Sequence, residues 1–141
     1  MKHRALVFIA TLTFFINSCA NKEASKSDLI YNATWELEYI SGPRIAFEGL
    51  FPEKKPTITF NKDTKKVEGT NSCNGYSAEF KIDEGTLYFG EPGPTTMMYC
   101  GQGENVFLDM MKKVNAYSFD ADGKLNLIFD GVPIMRFKNI N

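Results

Sequence analysis

Three cysteines and one histidine are the side chains of this sequence best suited to nucleophilic, redox or metal chemistry. Cys73 lies in the segment GTNSCNGYSAEF, where the turn-forming pair Asn74-Gly75 follows it directly. Neither Cys73 nor Cys100 belongs to a C-x-x-C pair, and no cluster of other soft ligands accompanies them. Two interpretations follow: a structural disulfide, which we favour for an exported chain, and a redox or metal-binding pair.

The N-terminus indicates that the chain is exported. A basic start is followed by the uncharged run ALVFIATLTFFI, which is too short to cross a bilayer as a helix and is typical of a secretory signal. The segment then reads INSCA, which resembles the lipobox of bacterial lipoprotein precursors. We therefore predict a signal over residues 1–18, a lipidated Cys19 and a flexible tether over residues 19–30. The alternative is ordinary signal cleavage that leaves Cys19 as a free thiol.

Removal of that signal would also remove His3, the only histidine. The mature chain would then lack an imidazole, which excludes Ser-His and Cys-His catalysis and histidine-based zinc sites. The acidic residues fall mainly in turn-like stretches such as DADG at 120–123, which lacks the further ligands of a calcium loop. We therefore predict no catalytic residue, no metal, no cofactor and no enzymatic activity.

Composition predicts one small domain over residues 31–141. The chain has 141 residues and a net charge of −1, and no basic patch dominates, so nucleic acid is not an expected partner. Alternating apolar residues predict seven or eight short antiparallel strands, and helical spacing over GENVFLDMMKKVN predicts one helix. A further short strand is expected over residues 44–47. The predicted fold class is mainly β (α+β): a small antiparallel β-barrel or curled meander sheet with one capping α-helix.

Two strands carry specific predictions about which side chains are buried. In TWELEYIS, the residues expected on the inner face are Trp35, Leu37 and Tyr39. In KLNLIFD, the expected inner residues are Leu125, Leu127 and Phe129. Both predictions assume that the alternation continues without interruption to the end of the strand.

Several separated segments resemble the META domain, also called the HslJ-like family. The first is ITFNKDTKKVEGTNSCNGYSAEFKI and the second is TTMMYC; WELEYISG, TLYFG and KLNLIFDGVPIMRF support them. The family pattern matches the following positions: Gly69, Cys73, Asn74, Thr95, Thr96, Met98 and Cys100. Many members carry Arg or Lys where this chain has Met97, so a partner surface that uses that cation would be changed here.

The resemblance implies a non-catalytic lipoprotein anchored to the bacterial cell envelope, in the outer membrane. It also implies a role in envelope integrity, heat shock or antibiotic tolerance through binding of another envelope protein or lipid. Two alternatives remain open: a pilot or carrier that binds a lipid or peptide, and a hydrolase inhibitor. The residues that we expect to contact a partner or ligand are Met97, Tyr99, Phe47 and Phe51.

Overall fold

A computed structural model describes residues 26–94 and 98–141 of the chain. Within these residues, nine strands and two α-helices follow a 3-10 turn over Lys26–Ile30. The strands are β1 (Thr34–Ile40), β2 (Thr57–Asn61), β3 (Lys66–Thr70), β4 (Gly75–Asp83), β5 (Thr86–Phe89), β6 (Gly93–Pro94), β7 (Ala116–Phe119), β8 (Leu125–Phe129) and β9 (Val132–Asn139). The helices are α1 (Phe47–Leu50) and α2 (Gly103–Lys113).

Eight of the strands form a closed antiparallel barrel. Their order is β3-β2-β1-β9-β8-β7-β5-β4, and β4 pairs back with β3. The short β6 pairs with β4 outside this ring. A single residue pair, Thr86 with Ala116, joins β5 to β7, so this is the weakest seam of the barrel. The predicted fold class, an antiparallel barrel with one main helix, is confirmed.

Helix α2 packs against the barrel through one apolar face. Phe107 and Met111 are fully buried, and the Phe107 ring contacts the rings of Tyr76 and Phe137. The charged residues lie as the helix dipole favours, with Glu104 in the first turn and Lys112 with Lys113 in the last. The 3.6-residue apolar period in the sequence therefore predicted both the helix and its buried face.

The inner faces of β1 and β8 differ from the predicted ones. The register between β1 and β9 shifts between Leu37 and Tyr39, so Tyr39 turns outward with 43 % of its surface exposed, and Ile40 is buried instead. A second shift, between Leu127 and Ile128, places its extra residue, Ile134, in β9, and Phe129 is exposed at the end of β8. The predictions that Tyr39 and Phe129 lie inside are therefore wrong. The extra residue in β1 reverses the alternation before Tyr39, whereas Phe129 is the last residue of its strand, next to a turn.

Two segments before and after β1 also differ from expectation. Residues 44–46 form a bend rather than a strand, and Phe47 begins helix α1. The last five residues of the predicted tether form the 3-10 turn, whose Ile30 is fully buried and accepts a 3.1 Å hydrogen bond from the Trp35 indole. The tether boundary predicted at residue 30 is therefore too late, since burial of Ile30 makes this turn part of the core.

Candidate functional site

The segment between β3 and β4 carries a buried polar cluster. Asn71, Ser72 and Asn74 are each almost completely buried, although a polar side chain is costly to bury without partners. The Asn71 N–H donates to the Asn74 carbonyl oxygen at 2.9 Å, which closes a tight turn around Cys73. The Ser72 hydroxyl donates to the Lys54 carbonyl oxygen at 3.2 Å and ties the turn to the loop after α1.

A disulfide joins this turn to the segment before α2. Cys73 and Cys100 are bonded, with their Cα atoms 6.1 Å apart, within the usual range for a disulfide. These are the two cysteines that the sequence suggested as a pair. The bond brings the two motif segments side by side, because one cysteine comes from each.

Asn74 makes a second connection beside the disulfide. Its side-chain Nδ2 donates to the Met98 carbonyl oxygen at 2.6 Å, and its Oδ1 accepts from the Met98 N–H at 3.0 Å. The amide thus pairs with both backbone polar groups of one residue, as a neighbouring strand would. Only the backbone of Met98 is used, so this contact does not explain why the side chain at 98 is methionine.

Glu104 completes the cluster from the first turn of α2. Its carboxylate accepts from Nδ2 of Asn71 at 2.7 Å and from Nδ2 of Asn74 at 2.8 and 2.9 Å. Hydrogen bonds to a charged acceptor are roughly twice as strong as neutral ones, and the helix N-terminus also favours an anion. Glu104 therefore holds the turn, the disulfide segment and α2 together.

Replacement of Asn74 by alanine is expected to lower the free energy of unfolding by about 2 kcal/mol, because buried hydrogen bonds to Met98 and Glu104 are lost together. Urea denaturation measures this. Asn115→Ala is the matched control, since the Asn115 side chain makes two hydrogen bonds, both to Asp130 at the surface, and its loss should change stability by only about 0.5 kcal/mol. Equal losses for the two variants would contradict the structural role of Asn74.

The Met98–Tyr99 tip is the most exposed apolar part of this region. Met98 is 62 % exposed and Tyr99 is 88 % exposed, although the backbone beside them is held by Asn74 and by Cys100. The motif residues Thr95 and Thr96 and the predicted contact residue Met97 lie outside the described residues. The side chains of Tyr99 and Met98 are therefore both accessible at this tip, and the predicted contact of Tyr99 with a partner stays a prediction.

The predicted contacts in the loop after β1 differ between the two aromatic residues. Phe51 is buried in the core, and Phe47 is half-buried with its ring 5.3 Å from that of Phe51. Lys55 lies over the outer face of the Phe47 ring. The prediction that Phe51 contacts a partner at the surface is therefore wrong. Its side chain fills the space between α1 and the start of α2, where Gly103 packs against it.

Gly69 has a packing role. A Cβ atom at this position would overlap the carbonyl oxygen of Thr57 on β2. That same oxygen accepts a 3.1 Å hydrogen bond from the Tyr76 hydroxyl, and burial raises the pKa of Tyr76 well above its usual value, which keeps the hydroxyl protonated. Only glycine lets the strands approach this closely at that point.

Sequence reasoning missed Asn71, Gly103 and Glu104 as members of this cluster. In the sequence, Glu104 indicates only a charge that the helix dipole favours near the start of the predicted helix. Glycine at the first position of α2 was a usable signal: a Cβ at Gly103 would overlap the Leu50 carbonyl oxygen, so the residue marks a close contact. Nothing in the sequence distinguished Asn71 from the many asparagines that simply form turns.

Two negative findings apply to residues 26–94 and 98–141. No group of three or more His, Cys, Asp or Glu side chains is arranged to hold a metal ion there. The helices of this part of the chain are also too short or too polar to span a membrane.

The two motif segments therefore meet at the disulfide and the Asn74–Met98 contact. The sequence model of the META domain matches residues 27–140, which cover the whole barrel and α2. The chain belongs to the META domain family. In this META domain, the motif residues Gly69, Cys73, Asn74 and Cys100 pack or connect the structure, whereas the side chain of Met98 faces solvent.

Known structures give the same fold. An NMR structure of a protein from Burkholderia xenovorans is 20% identical with a TM-score of 0.63, over 100% of this chain and 99% of that chain. A second NMR structure is 21% identical with a TM-score of 0.55, over 81% of this chain and 93% of that chain. None of the curated proteins compared with the chain matches it. At these identities the structural likeness concerns the fold of the META domain alone.

Proposed function

We propose that this META domain is a non-catalytic lipoprotein of the bacterial cell envelope that binds another envelope component through the Met98–Tyr99 tip. Its place is the outer membrane, where acyl chains on Cys19 anchor it. Its role is to support envelope integrity under heat, detergent or antibiotic stress. The anchor is supported by the lipobox-like INSCA segment, and the stress role by the family resemblance.

One observation carries the binding proposal: two large apolar side chains are exposed at a point where the backbone is fixed. Tyr99 is 88 % exposed, and its two neighbours are held, Met98 by the Asn74 amide and Cys100 by the disulfide. Tyrosine and methionine are both enriched at protein interfaces. A preorganised tip also loses less conformational entropy on binding than a mobile one, so more of the contact energy appears as affinity.

The absence of catalysis is supported by the use of the polar groups. The side-chain nitrogens of Asn71 and Asn74 donate to the Glu104 carboxylate, and the Ser72 hydroxyl donates to a backbone carbonyl, so these groups have structural partners. His3, the only histidine of the sequence, would leave with the signal.

The two alternatives receive less support. A hydrolase inhibitor would use the loop after β1 as its probe, but Leu50 and Phe51 are buried there. A carrier would need room inside the barrel, but Phe60, Phe107 and Phe137 are fully buried in one packed core.

The anchor is tested by labelling cells with radioactive palmitate and fractionating them. We expect wild-type protein to carry label and to sediment with membranes, and Cys19→Ser to lose the label and become extractable without detergent. An unlabelled wild-type protein would contradict the proposed lipid anchor. It would not bear on the proposed binding by the Met98–Tyr99 tip, which has a separate test.

The tip is tested with a photo-crosslinking amino acid introduced at position 99 in intact cells. We expect one discrete adduct of higher mass from position 99 and none from position 132, whose valine is 60 % exposed on the β8–β9 hairpin. Combining the probe with Asn74→Ala should reduce the adduct several-fold, because the tip is no longer held. Identical adducts from both positions, or none from either, would contradict the proposal.

The stress role has its own test. A deletion strain should survive heat and detergent less well than the wild type, and a plasmid copy should restore survival. A copy with Met98→Ser and Tyr99→Ser should not. Full restoration of survival by that copy would show that the stress role does not depend on the Met98–Tyr99 tip.

A further inference from the structure

An open groove lies beside the turn between β2 and β3, away from the Met98–Tyr99 tip. Its volume is about 710 Å³, within the range of small-molecule sites. Its lining combines an apolar floor with two lysines and one carboxylate. The lining residues include Lys65, Glu79, Lys81, Ile82, Tyr88 and Phe89. The groove is therefore amphipathic, with a net positive lining.

The two lysines are available to a ligand. The ion pairs formed within residues 26–94 and 98–141 use Lys62, Lys112, Lys124, Arg136 and Lys138, so neither Lys65 nor Lys81 has a carboxylate partner there. Glu79 makes no ion pair in that part of the chain either. Lysine ammonium groups bind phosphate as point charges, so two of them flanking an apolar floor favour an amphiphile with an anionic phosphate.

The path of the chain places this groove close to the proposed anchor. Lys62 of the β2–β3 turn pairs at 2.9 Å with Asp28, which lies two residues after the first described residue. From Cys19 to Lys26 the chain can span at most about 25 Å, even when fully extended. If Cys19 is acylated, the β2–β3 turn and its Lys65 therefore stay within reach of the lipid headgroups.

An exposed tyrosine suits the same environment. Tyr88 lines the groove with half of its surface exposed, and tyrosine is enriched at the membrane interface, where its ring is apolar and its hydroxyl is wet. The apolar ring of Tyr88 would be shielded from water if this face lay against a bilayer.

We infer that this groove binds the headgroup of an anionic phospholipid, so that the META domain rests on the leaflet that holds its anchor. This inference rests on the proposed lipid anchor. Lys65 and Lys81 contact the phosphate, and Ile82, Tyr88 and Phe89 contact the glycerol and the upper part of the acyl chains. The Met98–Tyr99 tip is then left for a partner other than the supporting membrane.

The test uses the complete mature chain with Cys19→Ser, so that no acyl chain contributes to binding. Co-sedimentation compares vesicles of phosphatidylglycerol and phosphatidylcholine with vesicles of phosphatidylcholine alone. We expect binding to the anionic vesicles only. Lys65→Gln with Lys81→Gln should weaken that binding about tenfold or more, since each lysine near an anionic surface contributes several-fold.

A matched control removes the same charge elsewhere. Lys54→Gln with Lys113→Gln changes two exposed lysines that lie outside the groove, and it should alter binding less than about twofold. An equal loss of vesicle binding in both double variants would show that net charge alone attracts the protein to the membrane. That result would overturn the proposed binding site in the groove. Tyr88→Ser should also weaken binding, while the unfolding midpoints of all variants stay near that of the parent.

Two further outcomes would overturn the inference. One is equal binding of the parent to neutral and anionic vesicles. The other is binding of soluble glycerol 3-phosphate, detected by NMR shifts at Lys65 and Lys81, with no gain from vesicles, which would indicate a site for a free phosphate. A failure of acylation at Cys19 is measured separately by palmitate labelling and would not change the vesicle result.

Discussion

Replacement of Gly69 by alanine is expected to reduce the free energy of unfolding by about 3 kcal/mol or more, which is a large part of the 5–15 kcal/mol typical of such a domain. The added Cβ would overlap the Thr57 carbonyl oxygen, which is backbone and cannot rotate away. Strands β2 and β3 would have to separate at Gly69, where it pairs with Ile58. The Tyr76 hydroxyl would then lose its acceptor on Thr57.

Gly90→Ala is the matched control for this prediction. The nearest atom to a Cβ at Gly90 is the Glu79 carbonyl oxygen at 3.6 Å, an ordinary van der Waals contact. Both substitutions add one methyl group to a glycine, Gly69 within β3 and Gly90 directly after β5, but only Gly69→Ala creates an overlap. Urea denaturation followed by circular dichroism should show a large loss for Gly69→Ala and less than about 1 kcal/mol for Gly90→Ala. A stable Gly69→Ala domain would show that the strands can separate there at little cost.

Removal of the disulfide is the second large effect. Cys73→Ser with Cys100→Ser should lower the free energy of unfolding by about 3.5 kcal/mol, because the unfolded chain regains the freedom of the loop between the two residues. For a domain of this size, the usual decrease of stability with urea concentration predicts that the urea midpoint of unfolding falls by about 2 M. Photo-crosslinking from position 99 should weaken as well, since the tip loses one of its two attachments.

Dithiothreitol provides an independent version of the same experiment. In a chain with Cys19→Ser, Cys73 and Cys100 are the remaining cysteines, so the reductant acts on one bond. The reduced protein and the double-serine variant should have the same midpoint, and the reductant should not affect the variant. Unchanged stability of the reduced protein would show that the Asn74 contacts alone hold the two segments together.

Much of the architecture could be predicted because it depends on local periodicity. Alternation identified Leu37 and Leu125 as buried, and helical spacing identified the position of α2. The two motif segments, in this order, indicated the META domain family, which the family model then matched over residues 27–140. These predictions from periodicity hold in the folded domain because each strand or helix buries one continuous face, whichever strand becomes its neighbour.

The sequence could not predict the bulges, because a bulge is a property of two paired strands. Nothing within TWELEYIS shows that the pairing with β9 shifts between Leu37 and Tyr39. The exposure of Tyr39 was therefore decided by the pairing with β9, whereas Phe129 is exposed because it ends β8 next to a turn. The burial of Phe51 likewise depends on α2, whose Gly103 lies about fifty positions further along the chain.

By itself, the sequence determined a lipoprotein-like N-terminus, a β domain with one helix, a candidate cysteine pair and the family. Each of these depends on residue types within a short window or on the order of two motifs. Only the tertiary structure decided that the Asn74 side chain pairs with the backbone of Met98 and that Glu104 accepts hydrogen bonds from both asparagines. Those contacts join residues more than twenty positions apart, and an asparagine beside a glycine looks the same in sequence whether it forms only a turn or also holds a distant segment of the chain.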